Sequence, residues 1–125
     1  MDHAAVQQWL DKYVEAWKSY DPQAIGDLFS EDAVCLYGPF DKPVNGRAAI
    51  VASWLKNPDA QGTYDAHYQP IVVEDNNAVS NGRSTYFAAD GKTVERVYDN
   101  IFVLRFDDNG QCASFSEWFI KKPKK

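Results

Sequence analysis

The chain has 125 residues, of which 45% are hydrophobic and 25% charged, and a net charge of −5 from 18 acidic and 13 basic side chains. That length fits one domain spanning residues 1–125, and the composition gives it a core and excludes disorder as a global description. The acidic balance argues against nucleic acid as a partner, no apolar run approaches the roughly 18 residues of a membrane span, and the absence of a basic-then-apolar leader points to a cytoplasmic protein.

The first third reads as helix. Val6, Trp9, Leu10, Tyr13, Val14, Trp17 and Tyr20 recur at three- and four-residue spacing and make one apolar stripe. Asp21-Pro22 restarts the helix, with Asp as N-cap and Pro in the first turn, and Ile25, Leu28 and Phe29 supply its buried side. Ala33 to Tyr37 reads as a short strand broken by Gly38-Pro39. Asn45-Gly46 opens a third helix with Ile50, Val51, Trp54 and Leu55, and Asn57-Pro58 ends it. From Tyr64 the period changes to that of strands: Tyr64 to Glu74, Ala78 to Ala88, Thr93 to Phe106 and Gln111 to Lys121. Asp75-Asn76, Asp90-Gly91 and Asp107 to Gly110 separate them as hairpin turns. Three helices before an antiparallel meander give an α+β layout, with helices on one face of the sheet.

Aromatic residues are abundant: 4 Trp, 7 Tyr and 7 Phe, more bulk than a core of this size requires. Closing the last hairpin with Phe106 opposite Gln111 sets Asn100 opposite Glu117, Phe102 opposite Phe115, and Tyr98 opposite Phe119, all on one face. The other face carries Ile101, Val103, Cys112, Trp118 and Ile120, with Asp99 and Arg105. Both faces are partly apolar, so one meets the helices and the other is expected to meet a second subunit. Continuing the register backwards places Asn81, Arg83, Thr85 and Phe87 on the Glu117 face.

Glu117 between Phe115 and Phe119 is a carboxyl deprived of water, which raises its pKa and suits it to general acid/base work near neutral pH. The alternative is a structural salt bridge to Arg83 or Arg96. A one-residue slip would turn Glu117 outward and leave Asp99 as the inward acid. His67 alternates with Tyr64, Ala66 and Tyr68 and falls on the opposite face from them. His3 and His67 have no metal-ligand spacing, Ser114 and Ser116 have no nucleophile elbow, and no metal or organic cofactor is expected. Cys35 and Cys112 read as buried, reduced thiols, Trp9 and Trp54 as plain core, and the terminal Lys121, Lys122, Lys124 and Lys125 as a solvated tail.

The stretch "YVEAWKSYDPQAIGDLFSEDAV…VNGRAAI", with the closing "YDNIFVLRFDDNGQCASFSEWF", resembles the SnoaL-like and ketosteroid isomerase-like branch of the nuclear transport factor 2 superfamily. The resemblance implies a cone: a curved antiparallel sheet wrapped around three helices (NTF2-like, cystatin-like), with a cavity between them and a homodimer through the outer sheet face. It matches Tyr13 to the oxyanion-binding Tyr of ketosteroid isomerases. Their general-base Asp falls on Tyr37, their protonated Asp on Phe102, and the acid/base Asp of SnoaL-type cyclases on Ile120. The expected site therefore comprises Glu117, Tyr13, Tyr37 and Asn100 for chemistry, with Trp17, Arg83, Tyr98, Phe102, Phe115 and Phe119 around a small apolar or aromatic ligand. Isomerisation, cyclisation or dehydration would suit it. A non-catalytic binding or accessory protein is the other reading.

Overall fold

The computed structural model describes residues 1–124; Lys125 lies outside the described residues. Helix α1 runs His3–Ser19, with the Asp2 side chain accepting the Ala5 N–H at 2.8 Å as N-cap, and Tyr20 ends it in the left-handed conformation at φ 51°. Asp21 caps the short α2, Pro22–Gly26, through the Ala24 N–H at 3.2 Å. Strand β1 spans Phe29–Leu36, longer than the sequence pattern marks, and β2 is Val44–Asn45. Gly46, at φ 92°, opens α3, Arg47–Lys56. The meander follows as β3 (Tyr64–Glu74), β4 (Asn77–Phe87), β5 (Val94–Phe106) and β6 (Cys112–Lys121).

The six strands form one curved sheet in the order β2-β1-β6-β5-β4-β3. β3 to β6 pair antiparallel, as the turns imply, while β1 returns to pair parallel with β6 and makes the sheet mixed. Gly82 marks the sharpest approach of β4 to β3: a Cβ there would collide with the His67 carbonyl oxygen and lie 2.7 Å from the Tyr68 Cα. Val6, Trp9, Leu10, Ile25, Phe29, Ile50, Leu104 and Phe106 fill the space between helices and sheet. The Trp9 indole satisfies its own N–H by donating to the Leu28 carbonyl at 2.9 Å. Among the described residues, no helix is long and apolar enough to cross a membrane.

Two hairpins depart from the expected register, with different consequences. In β5–β6, Asp107 and not Phe106 closes the turn, because its carboxylate accepts the Asn109 and Gln111 N–H groups and its own N–H donates to the Gln111 carbonyl. A bulge then leaves Ala113 unpaired between Cys112, opposite Phe106, and Ser114, opposite Arg105. The two one-residue offsets add to two, so Phe102 faces Glu117 and Asn100 faces Phe119, while every β6 residue beyond the bulge keeps its expected face. Cys112 precedes the bulge and is therefore buried, not on the outer face. In β4–β5 a single bulge at Glu95 separates the pair Phe87–Val94 from Tyr86–Arg96. Nothing cancels it, and every β4 residue beyond it changes face. Arg83 accordingly pairs with Asp99 on the outer face, its Nε 3.9 Å from the carboxylate, and Ser84 and Tyr86 turn inward.

Candidate functional site

Between α1, α3 and the inner face of β3–β6 lies a cavity of about 380 Å³, within the size range of small-molecule sites. Tyr13, Trp17 and Tyr20 come from one side of α1 and its cap, and Tyr68, Tyr86, Tyr98 and Phe119 from the sheet. Beneath them Phe102 and Phe115, 4.9 Å apart and both buried, form a floor on which Tyr13 stacks at 5.7 Å from Phe115. The aromatic excess thus divides between a packed floor and a hollow wall.

Glu117 is the deep carboxyl of this wall. Asn100 Nδ2 donates to its Oε2 at 2.8 Å, and Ser84 Oγ donates to Asn100 Oδ1 at 2.8 Å, which fixes the direction of the amide. Oε1 has no hydrogen-bond partner, and no cation pairs with the carboxyl, among the described residues. Burial pushes its pKa from 4.5 up to about 7, against the opposing pull of the Asn100 bond. The structural salt bridge to Arg83 or Arg96 is therefore absent: Arg83 is outside, and the ionic contact of Arg96 is to Glu95.

The phenols differ in what they can donate. Burial, and then the Glu117 charge, hold the Tyr13 hydroxyl well above its ordinary pKa, and no hydrogen bond engages it among the described residues. Burial lifts Tyr37 to about 12, but Tyr37 is occupied. Its oxygen is 2.9 Å from Ser53 Oγ, whose single hydrogen goes to the Ile50 carbonyl at 2.7 Å, so Tyr37 must donate to Ser53.

At the mouth, Asp59 in the loop after α3 straps that loop to α1. Its Oδ2 accepts from Trp17 Nε1 at 3.1 Å and Tyr20 Oη at 3.2 Å, and its backbone N–H donates to Tyr20 Oη at 2.9 Å. Trp17 stacks on Tyr64 at 4.4 Å, and the Tyr64 hydroxyl donates to the Trp17 carbonyl at 2.6 Å. Across the opening, the Arg96 guanidinium lies over Tyr86, 4.2 Å from the ring centroid.

Comparison with known proteins agrees with this architecture. The family model for the SnoaL-like domain matches residues 10–115. The chain belongs to the SnoaL-like family. No curated protein matches its sequence. It is similar to a solved NTF-2 like protein of unknown function from Burkholderia xenovorans LB400, with a TM-score of 0.72 and 16% identity over 98% of this chain and 88% of that one. At that identity the likeness carries the fold alone.

In this SnoaL-like domain, Glu117, Tyr13, Tyr37, Asn100, Trp17, Tyr98 and Phe119 all reach the cavity wall. Phe102 and Phe115 sit under it as core, and Arg83 is outside because of the Glu95 bulge. Trp54, expected in plain core, lines the cavity, 5.0 Å from Tyr13. Tyr20, Ser53, Asp59, Tyr68, Ser84, Tyr86 and Arg96 complete the wall without having been expected in the site. Tyr86 and Ser84 were hidden by the face reversal, whereas Asp59 lies in a loop, where no periodicity reports which way a side chain points.

Proposed function

We propose that the cavity carries out general acid/base proton transfer on a small, mainly apolar cyclic molecule, as an isomerase, cyclase or dehydratase does. The observation that carries this reading is Glu117: a half-buried carboxyl on the cavity wall without a cation, its pKa pushed up to about 7 by burial, on the same wall as the unengaged Tyr13 hydroxyl. Asn100 occupies Oε2 and leaves Oε1 to take a proton from a carbon acid and return it elsewhere. Tyr13 donates to the oxyanion that develops on the neighbouring carbonyl, while Tyr37, committed to Ser53, serves as wall. Positioned proton transfer supplies roughly 10²–10⁴-fold and an oxyanion donor roughly 10²–10³-fold, enough for an activated C–H bond.

The site works in a homodimer in this reading, because the outer sheet face exposes Ile101 (43%), Val103 (42%), Trp118 (42%) and Ile120 (73%) together. The test of the chemistry needs no known substrate. A panel of cyclic ketones in D₂O is followed by mass spectrometry for hydrogen exchange beside the carbonyl. Exchange accelerated by the protein and lost at least a hundredfold in Glu117→Gln supports the reading. Ketones that bind without accelerated exchange favour the non-catalytic binding protein, a reading consistent with Tyr37 and Phe102 standing where ketosteroid isomerases have acids.

A further inference from the structure

Arg96 is the one cation on the cavity wall among the described residues. Its guanidinium carbon lies over the Tyr86 ring, 4.2 Å from the centroid and 6.0 Å from that of Tyr98, and the side chain is 34% exposed. One nitrogen, Nη1, donates to its sequence neighbour Glu95 at 3.2 Å, and Nε and Nη2 have no partner among the described residues. Asp59 shares the mouth but does not neutralise Arg96: no ion pair joins them among the described residues, and its Oδ2 is taken by Trp17 and Tyr20. The Glu95 bulge is what seats Arg96 opposite Tyr86 on the inner face.

We infer that Arg96 anchors a carboxylate borne by an otherwise apolar, cyclic ligand whose opposite end reaches Glu117. The assignment rests on the acid/base reading for that deep end. Arg96 and Phe102, the strand partner of Glu117, are six residues apart on β5, which is about 20 Å of extended backbone. The cavity wall thus carries its cation toward one end of β5 and the Glu117 carboxyl farther along the sheet. A guanidinium laid over the Tyr86 ring and bonded to Glu95 has given up rotamer freedom before the ligand arrives, so its free N–H groups are preorganised for a carboxylate. The polarity also fixes orientation. Entering the other way round, the ligand would bury its carboxylate at the deep end, away from the one cation on the wall among the described residues, a desolvation penalty that the correct pose avoids.

Calorimetric titration at pH 6 with naphthalene-2-carboxylate and biphenyl-4-carboxylate, each matched to its carboxamide and its methylammonium analogue, tests this directly. The carboxylates are expected to bind at least tenfold tighter than the amides. That advantage should vanish in Arg96→Gln and survive in part in Arg96→Lys, with amide affinity unchanged in both, which also reports an intact cavity. Amides or ammonium probes binding as tightly as carboxylates, or a carboxylate preference that persists in Arg96→Gln, overturn the assignment. So does failure of every probe to bind. Ketone exchange through Glu117, read separately, stands or falls on its own.

Discussion

Replacing Glu117 with Gln should make the protein more stable at alkaline pH while removing the group proposed to move protons. In the folded chain burial raises this carboxyl from 4.5 to about 7. The folded state therefore binds the proton more tightly than the unfolded state, and Glu117 destabilises the fold progressively as pH rises from about 4.5 to 7, levelling off above that. That span corresponds to about 3 kcal/mol at pH 8, or roughly 10 °C in Tm for a domain of this length. Gln keeps the acceptor for Asn100 Nδ2 and carries no charge, so its own stability lacks this slope. Urea denaturation of both proteins at pH 4.5, 6, 7 and 8 isolates the effect, because the other carboxylates titrate alike and cancel in the difference. The advantage of Glu117→Gln should grow with pH by about 3 kcal/mol. A difference that stays flat, or shrinks with pH, would refute the claim that Glu117 is buried without a compensating charge.

Other outcomes follow from single contacts. Asn100→Ala removes the bond that holds the Glu117 pKa down, so the carboxyl resonance should titrate at higher pH by carbon NMR, and a lower value contradicts the assigned geometry. Gly82→Ala drives a methyl into the β3 backbone and should cost more than about 2 kcal/mol in urea, whereas an unchanged midpoint shows that the strands can part there. Burial pushes the Cys35 thiol up to about 12 and raises that of Cys112, so at pH 8 a disulfide reagent should label them only after denaturant is added. Trp118→Glu should convert the proposed dimer to a folded monomer by light scattering, and a wild type already monomeric at micromolar concentration removes that proposal.

The helices were legible because their signals are local. Asp21 caps what it precedes, Gly46 opens α3 at positive φ, and the stripe from Val6 to Trp17 needs no knowledge of its partner, although Leu28 and Phe29, read as the buried side of α2, lie beyond its end at Gly26. The mixed sheet was not legible. The pairing of β1 with β6 joins residues such as Cys35 and Phe115, and nothing in either segment specifies a parallel neighbour so distant in sequence. Asp59 was equally hidden, since its role follows from where the α3–β3 loop lands on Trp17 and Tyr20.

Within the site, parity decided what could be read. The last hairpin contains two departures from the simplest register, the Asp107 turn and the Ala113 bulge, and because side chains alternate with period two, their joint effect on facing is nil. Glu117, Asn100 and Tyr98 therefore kept their expected side even though each has a different strand partner. The hairpin before it contains one departure, at Glu95, and that reversal exchanged Arg83 for Tyr86 as a wall residue. Neither bulge carries a dependable mark in sequence, for the extra residue is an exposed Glu95 in one and a half-buried Ala113 in the other. What the sequence could supply was the chemistry available to the face. Only the register says that the cation sharing the cavity with Glu117 is Arg96, opposite Tyr86, while Arg83 spends its charge outside on Asp99.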